Sequence, residues 1–197
     1  MNDGKDPVSA AVLALRTAKR INVIGTSGTG KTTFSRSLAE VLRLPLQEMD
    51  RLYWLPDWKD PEEALFLAKV REAISGERWI LDGNYNRTQD IKWASVDCVV
   101  WLDYPFFRTF RQAVSRAFRR SLTREELWPG TGNRESFRKS FLSKDSIILW
   151  TLTTYRKNRE RYLKLMARED GAAHRFVRIG SPSEAAEVLR QLRLGPE

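Results

Sequence analysis

Short apolar runs alternate with amphipathic stretches along this chain, a rhythm that predicts parallel strands separated by helices. Ile21 to Ile24 reads as a first strand ending at Gly25. Lys31 to Leu44 reads as a helix, because Phe34, Leu38, Val41 and Leu42 recur on one face. Leu46 to Met49 predicts a second strand. Asp60-Pro61-Glu62-Glu63 has the cap, first-turn proline and early acids of a helix start, and that helix ends near Gly76. Trp79 to Leu81, Cys98 to Leu102 and Phe176 to Ile179 supply three further strands, and a last helix runs to about Leu194.

Two long helices are expected between the fourth and fifth strands. In the first, Phe107, Phe110, Val114, Ala117 and Phe118 share one face, and Arg108, Arg111, Arg116 and Arg119 lie opposite. In the second, Ile148, Leu152, Tyr155, Tyr162 and Met166 form an apolar stripe. Arg159 interrupts that stripe and Arg156 borders it. An inward-facing guanidinium requires a partner, either a phosphate or an internal carboxylate. Between these helices, Ser121 to Ser143 carries Gly130, Gly132, Arg134 and Arg138, a basic segment suited to closing over phosphates. No internal repeat divides the chain, so residues 1–197 read as one domain with a lid at about 121–144.

Polar or turn residues end four of the strands: Gly25, Asp50, Asp82 and Gly180. Open α/β sheets bind ligands beyond the carboxyl ends of their strands, so the site is expected there. The first of these ends opens Gly25-Thr26-Ser27-Gly28-Thr29-Gly30-Lys31-Thr32, a complete G-x-x-x-x-G-K-[ST] motif between a strand and a helix. Its glycines let successive N–H groups, including those of Ser27, Thr29 and Thr33, turn toward phosphate oxygens. The helix N-terminus adds donors and a favourable dipole. Lys31 is expected on the β- and γ-phosphates of ATP, with the Thr32 hydroxyl on Mg²⁺.

Asp82 ends an apolar strand in the manner of a Mg²⁺-supporting carboxylate, or else caps a turn. No glutamate follows it, as one does in many hydrolytic ATPases. Asp50 can accept or orient the proton of a substrate hydroxyl, and Arg51 can hold an anionic substrate; the alternative is an exposed turn with an ion pair. Tyr53, Trp54 and Trp58 follow, as a stacking surface or as core.

Composition narrows the classes. The net charge is +9, and the excess is local: residues 108–168 hold 16 lysines and arginines against five acids. Such a region suits polyphosphate or nucleic acid, or forms a solvated helical face. Cys98 is the single cysteine, which excludes an internal disulfide and points to a reducing, cytoplasmic setting. One cysteine and one histidine also make no structural zinc site. No apolar run reaches membrane-span length, and the first twenty residues lack signal-peptide features.

The phosphate loop and Leu81-Asp82-Gly83-Asn84-Tyr85-Asn86-Arg87-Thr88 together resemble P-loop kinases of the adenylate-kinase-like group. The resemblance implies Asp82 near Mg²⁺, Gly83, Asn84 and Arg87 at the substrate, and Arg119 or Arg120 at the base of the lid. It also implies Gly180-Ser181-Pro182 beside adenine. Met49-Asp50-Arg51-Leu52-Tyr53-Trp54, Gly132-Asn133-Arg134-Glu135-Ser136 and Thr154-Tyr155-Arg156-Lys157-Asn158-Arg159 are similar to bacterial proteins labelled "DNA topology modulation protein". The implied fold is a three-layer P-loop NTPase with a five-stranded parallel sheet, order 2-3-1-4-5, and a helical lid.

The expected function is transfer of the ATP γ-phosphate to a small acceptor, with a nucleotide or nucleoside implied by the resemblance. Lys31, Asp50 and Arg159 are expected to act in transfer, and Arg51, Arg134, Arg138 and Arg156 to bind substrate. Another hydroxyl metabolite, or an ATP-dependent nucleic-acid-binding role, is the competing reading. Monomer and dimer both remain open.

Overall fold

The computed structural model describes residues 6–123, 125–135, 147–167 and 175–195, with side chains of the helix beginning at residue 147 described from 153 onward. The expected Arg138 therefore lies outside the described residues, as do the side chains of Ile148 and Leu152.

Five strands form one parallel sheet: β1 (Arg20–Gly25), β2 (Leu46–Glu48), β3 (Trp79–Asp82), β4 (Cys98–Leu102) and β5 (Arg175–Ile179). Their order is β2-β3-β1-β4-β5, as expected, with β1 central between β3 and β4. Every residue of β3 and β4 is buried, which explains why both read as continuous apolar runs: helices cover both faces of a parallel sheet.

One face carries Ile21, Val23, Val100, Leu102, Val177 and Ile179. On it pack α1 (Pro7–Thr17), α2 (Lys31–Leu42) and α8 (Pro182–Arg193). The opposite face carries Ile24, Leu81, Val99 and Trp101, covered by α3 (Met49–Tyr53), α4 (Glu63–Ala73), α5 (Gln89–Trp93) and α7 (Ile147–Met166). The remaining helix, α6 (Phe106–Thr123), follows β4 and packs along α7.

Several boundaries differ from the sequence pattern. β2 stops at Glu48, and Met49 opens α3, so Asp50 sits in a helical turn rather than at a strand end. α4 starts at Glu63 with Glu62 as its cap and no side-chain bond there. Burial, with Asp60 beside it, raises the Tyr53 pKa. α1 is an addition: Asp6 Oδ1 accepts from the Val8 amide, and Pro7 sits in the first turn. Of the lid segment, residues 121–123 complete α6, and 125–135 form a small antiparallel turn closed by a Glu126–Arg134 bridge.

The face of α6 is the main correction. Phe107 is 84% exposed and Phe118 51%, while Thr109, Ala113 and Ala117 are buried. The reason is close approach. A Cβ on Gly28 would lie 2.6 Å from the Thr109 carbonyl oxygen and 2.9 Å from Ala113 Cβ. Only small residues fit where α6 rests on the phosphate loop, so the helix turns its small face inward, leaving Phe107 and Phe118 outward and Phe106 and Phe110 half-buried. Gly28 also has φ +92°, a region that side chains disfavour. Gly28→Val is therefore expected to destabilise the fold by about 3 kcal/mol, combining overpacking and backbone strain. Urea denaturation checks this value.

Candidate functional site

Gly25 ends β1, and the loop that follows is braced from β3. Asn84 grips Gly25 twice: its Oδ1 accepts from the Gly25 amide at 3.0 Å, and its Nδ2 donates to the Gly25 carbonyl at 2.8 Å. The Thr29 hydroxyl donates to the Thr26 carbonyl at 2.9 Å and closes the loop from within. Gly30 caps α2 in a left-handed conformation with no side-chain capping bond. The first amides of α2, Thr33 among them, are thus left for an anion. Lys31 folds back, its Nζ donating to the carbonyls of Gly25 at 2.7 Å and Thr26 at 3.2 Å. Burial lowers the Lys31 pKa, while the charges of Asp82 and Asp50 oppose that shift.

The Thr32 hydroxyl donates to Asp82 Oδ2 at 2.6 Å, so the two expected Mg²⁺ residues adjoin. The other carboxylate oxygen, Asp82 Oδ1, is buried with no hydrogen-bond partner among the described residues. A hydroxyl, a carboxylate and an unsatisfied hard oxygen beside a phosphate loop fit Mg²⁺, which keeps several waters and takes one or two protein ligands. Burial pushes the Asp82 pKa up to about 6, against the pull of Lys31 and the Thr32 bond.

Behind this turn lies a residue that no pattern along the chain singles out. Lys92 is 1% exposed, and its Nζ donates to the carbonyls of Gly83 (3.3 Å) and Asn84. Asn22 reaches the same turn from β1, donating to the Leu81 and Gly83 carbonyls and accepting from Trp93 Nε1. The backbone that presents Asn84 to the loop is thus held by a buried lysine and a buried amide. Burial brings the Lys92 pKa down to about 7.

On the acceptor side, Tyr85 donates its hydroxyl to Asp50 Oδ1 at 2.8 Å. Burial and the Asp50 charge raise the Tyr85 pKa, so the phenol keeps its proton. The Asp50 charge also acts on Lys31, Asp82 and Arg116. Arg116 Nη2 donates to the Ser27 hydroxyl at 2.9 Å. It, and not Arg119 or Arg120, is the α6 arginine that touches the phosphate loop; Arg119 is exposed, and Arg120 pairs with Glu135 at 3.1 Å. Helical spacing put Arg116 and Arg119 on the polar side of α6 and Arg120 at its margin, and only the docking of its small face on Gly28 turns Arg116 inward.

Other expected substrate residues lie apart or at the margin. Arg51 lines a groove with Gln47, Lys69 and Glu72 that includes no residue of the phosphate loop. The Arg87 guanidinium lies 4.9 Å from the ring centre of Tyr53 and 5.1 Å from that of Phe66. Arg134 is exposed on the antiparallel turn, and Arg156 is exposed and pairs with Glu160. Ser181 and Pro182 serve α8 as cap and first residue, with Ser181 Oγ accepting from the Glu184 amide.

Arg159 meets a carboxylate rather than open space. Its Nε lies 3.1 Å from Asp103 Oδ1, and Arg178 donates to Asp103 Oδ2 at 2.6 Å. The Asp103 side chain is 3% exposed; both arginines are 42% exposed and border a groove with Tyr155 and Gly180. Asp103 and Arg178 had no distinguishing mark in the sequence, since a strand-end acid and an edge-strand arginine are common.

The sequence matches no protein-family model and no curated protein. Solved structures do resemble it. A gluconokinase from Sinorhizobium meliloti 1021 shares 17% identity at a TM-score of 0.51, covering 90% of this chain and 93% of that one. A shikimate kinase from Acinetobacter baumannii, in complex with shikimate, shares 19% identity at 0.52, covering 93% and 96%. These likenesses establish the three-layer P-loop fold.

Two outcomes follow from the buried charges. The unfolded chain holds the Lys92 proton up to the ordinary lysine pKa of 10.5, whereas the folded state sheds it near 7. Between those values the unfolded state binds more protons, so Lys92 makes stability rise with pH. Lys92→Met is expected to remove a rise of order 3 kcal/mol between pH 7 and 10, read from urea melts of both proteins across that range. Arg159→Met leaves Asp103 still paired with Arg178 and is expected to cost about 1–2 kcal/mol. The Arg159→Met, Arg178→Met double variant strands the carboxylate and is expected to cost about 3–5 kcal/mol. Thermal and chemical melts distinguish that non-additive pattern from two equal losses.

Proposed function

We propose that this chain transfers the γ-phosphoryl group of ATP to the hydroxyl of a small metabolite. The observation that carries the reading is Asp50: a carboxylate that accepts the Tyr85 hydroxyl and whose charge acts on Lys31 of the phosphate loop, on Asp82 and on Arg116. The loop amides and the α2 N-terminus cradle the β- and γ-phosphates. Lys31 exchanges its two carbonyl partners for phosphate oxygens. Arg116, held at Ser27, adds positive charge where the transferring group becomes more negative. Mg²⁺ held by Thr32 and Asp82 would supply further charge neutralisation on the phosphates.

Asp50 accepts the proton of the acceptor hydroxyl as the new O–P bond forms. The bond from the γ-phosphorus to the bridging oxygen breaks, and ADP leaves with that electron pair. Arg159 has no part in this reading, because Asp103 and Arg178 account for it.

A hydroxyl metabolite is favoured over the nucleotide or nucleoside suggested by resemblance. Tyr53, Trp54, Trp58 and Trp128 pack on one another with ring centres 4.9–6.1 Å apart, three pairs edge to face and Trp54–Trp128 nearly parallel, so this cluster is held by its own contacts. The two fold neighbours are a gluconokinase and a shikimate kinase, which supports a small-molecule acceptor. The narrower relation to DNA-topology proteins rests on its sequence segments alone.

Lys31→Ala is expected to abolish ATP binding by calorimetry while the fold persists. Asp50→Asn is expected to keep ATP affinity within about twofold and to lower transfer about 10²-fold or more. The assay is ATP-dependent phosphorylation across a panel of sugar acids, polyols and nucleosides. Equal turnover by Asp50→Asn would remove Asp50 from the mechanism.

A further inference from the structure

The Gly132-to-Glu135 segment has no place in the mechanism above, yet the structure spends its polar groups on two joints. Asn133 is 1% exposed. Its Oδ1 accepts from the Trp58 amide at 2.9 Å, and its Nδ2 donates to the Leu55 carbonyl at 2.8 Å. A single buried amide thus bridges two backbone groups of the stretch that follows α3, about 75 residues earlier in the chain. Its own backbone carbonyl accepts from the Leu127 amide and closes the turn. Trp128 of the same turn lies 6.1 Å from Trp54, nearly parallel, and 5.6 Å from Trp58, edge to face. Two residues past Asn133, Glu135 pairs with Arg120 on α6 and acts on the neighbouring Arg116, which holds Ser27.

The turn therefore spans from the arginine side of the phosphate loop to the chain that carries Asp50. We propose that residues 126–134 form a wall of the acceptor site that is locked to the acceptor-side segment 50–58 by Asn133, so that wall and segment move as one body. Asn133 is a positioning residue: it touches neither phosphate nor acceptor, and acts through the backbone of Leu55 and Trp58. The consequence is exclusion of water. With the wall docked, a hydroxyl must be delivered by a bound acceptor; with the wall free, water reaches the γ-phosphate and ATP is hydrolysed to ADP and phosphate. This inference rests on the phosphoryl-transfer reading.

The two anchors make separable predictions for hydrogen exchange followed by mass spectrometry. Asn133→Ala is expected to speed exchange in both 50–58 and 126–134, while Glu135→Gln speeds it at 126–134 and leaves 50–58 protected. Asn133→Asp keeps the oxygen that accepts from Trp58 and loses the donor to Leu55, so it is expected to fall between wild type and Asn133→Ala. The functional readout is ATP hydrolysis without acceptor. Asn133→Ala is expected to raise kcat about tenfold with KM for ATP unchanged, and Asn133→Asp to raise it less. Faster exchange confined to 126–134 in Asn133→Ala, or an unchanged kcat, would overturn the proposal. Binding of a non-hydrolysable ATP analogue with Mg²⁺ is measured on the same proteins. Its absence in wild type would overturn the nucleotide reading, whereas the exchange pattern reports on the joint by itself.

Discussion

The two hydrogen bonds between the Asn84 side chain and Gly25 fix the geometry on which the site depends. β1 ends at Gly25, and from there the chain must leave the sheet and turn into α2. A loop of glycines and threonines has no packing of its own to hold that shape. Asn84 clamps its first peptide to the end of β3, and this sets the spacing between Thr32 and Asp82. Lys92 and Asn22 then hold the peptide that carries Asn84. Lys31 and Arg116 lie around the loop, so the region carries positive potential.

The same electrostatics explain the folded-back Lys31. An ammonium group with no phosphate must still be hydrogen-bonded, and the Gly25 and Thr26 carbonyls do this within the loop. Those carbonyls are weaker partners than a phosphate dianion, so the exchange on binding runs downhill. Asp82 is the counterpart: burial favours its neutral form, and one oxygen has no donor, so a cation at this point relieves both penalties.

What was legible in the sequence was local. The strands were visible because a buried parallel sheet demands continuous apolar runs, and the phosphate loop because its chemistry requires a contiguous motif. The boundary of β2 was not, since Met49 is as compatible with a strand as with the first turn of α3. The buried face of α6 was misread because hydrophobicity marks phenylalanine, while the contact with Gly28 selects for small size. Arg116, Lys92, Asp103 and Asn133 could not be found from spacing at all. Arg116, Asp103 and Asn133 owe their roles to partners dozens of residues away, Lys92 owes its own to the folding back of the turn after β3, and a lysine or asparagine is ordinarily a surface residue. Arg159 shows the limit most clearly: the helical stripe indicated an inward charge, but not whether a phosphate or a carboxylate would meet it.

The strand order also bears on how the chain comes to be folded. β1 is the central strand, and neither of its neighbours is adjacent in sequence: Arg20 pairs with Trp79, and Ile21 with Cys98. During synthesis at about 5–20 residues per second, β1 leaves the ribosome roughly 3–12 s before its first partner exists. Through that interval an apolar strand, edge unpaired on both sides, depends on α1 and α2 for cover. The nascent chain is therefore most in need of protection from aggregation, by a chaperone or by its own flanking helices, while the phosphate loop has been made and the strand that braces it has not.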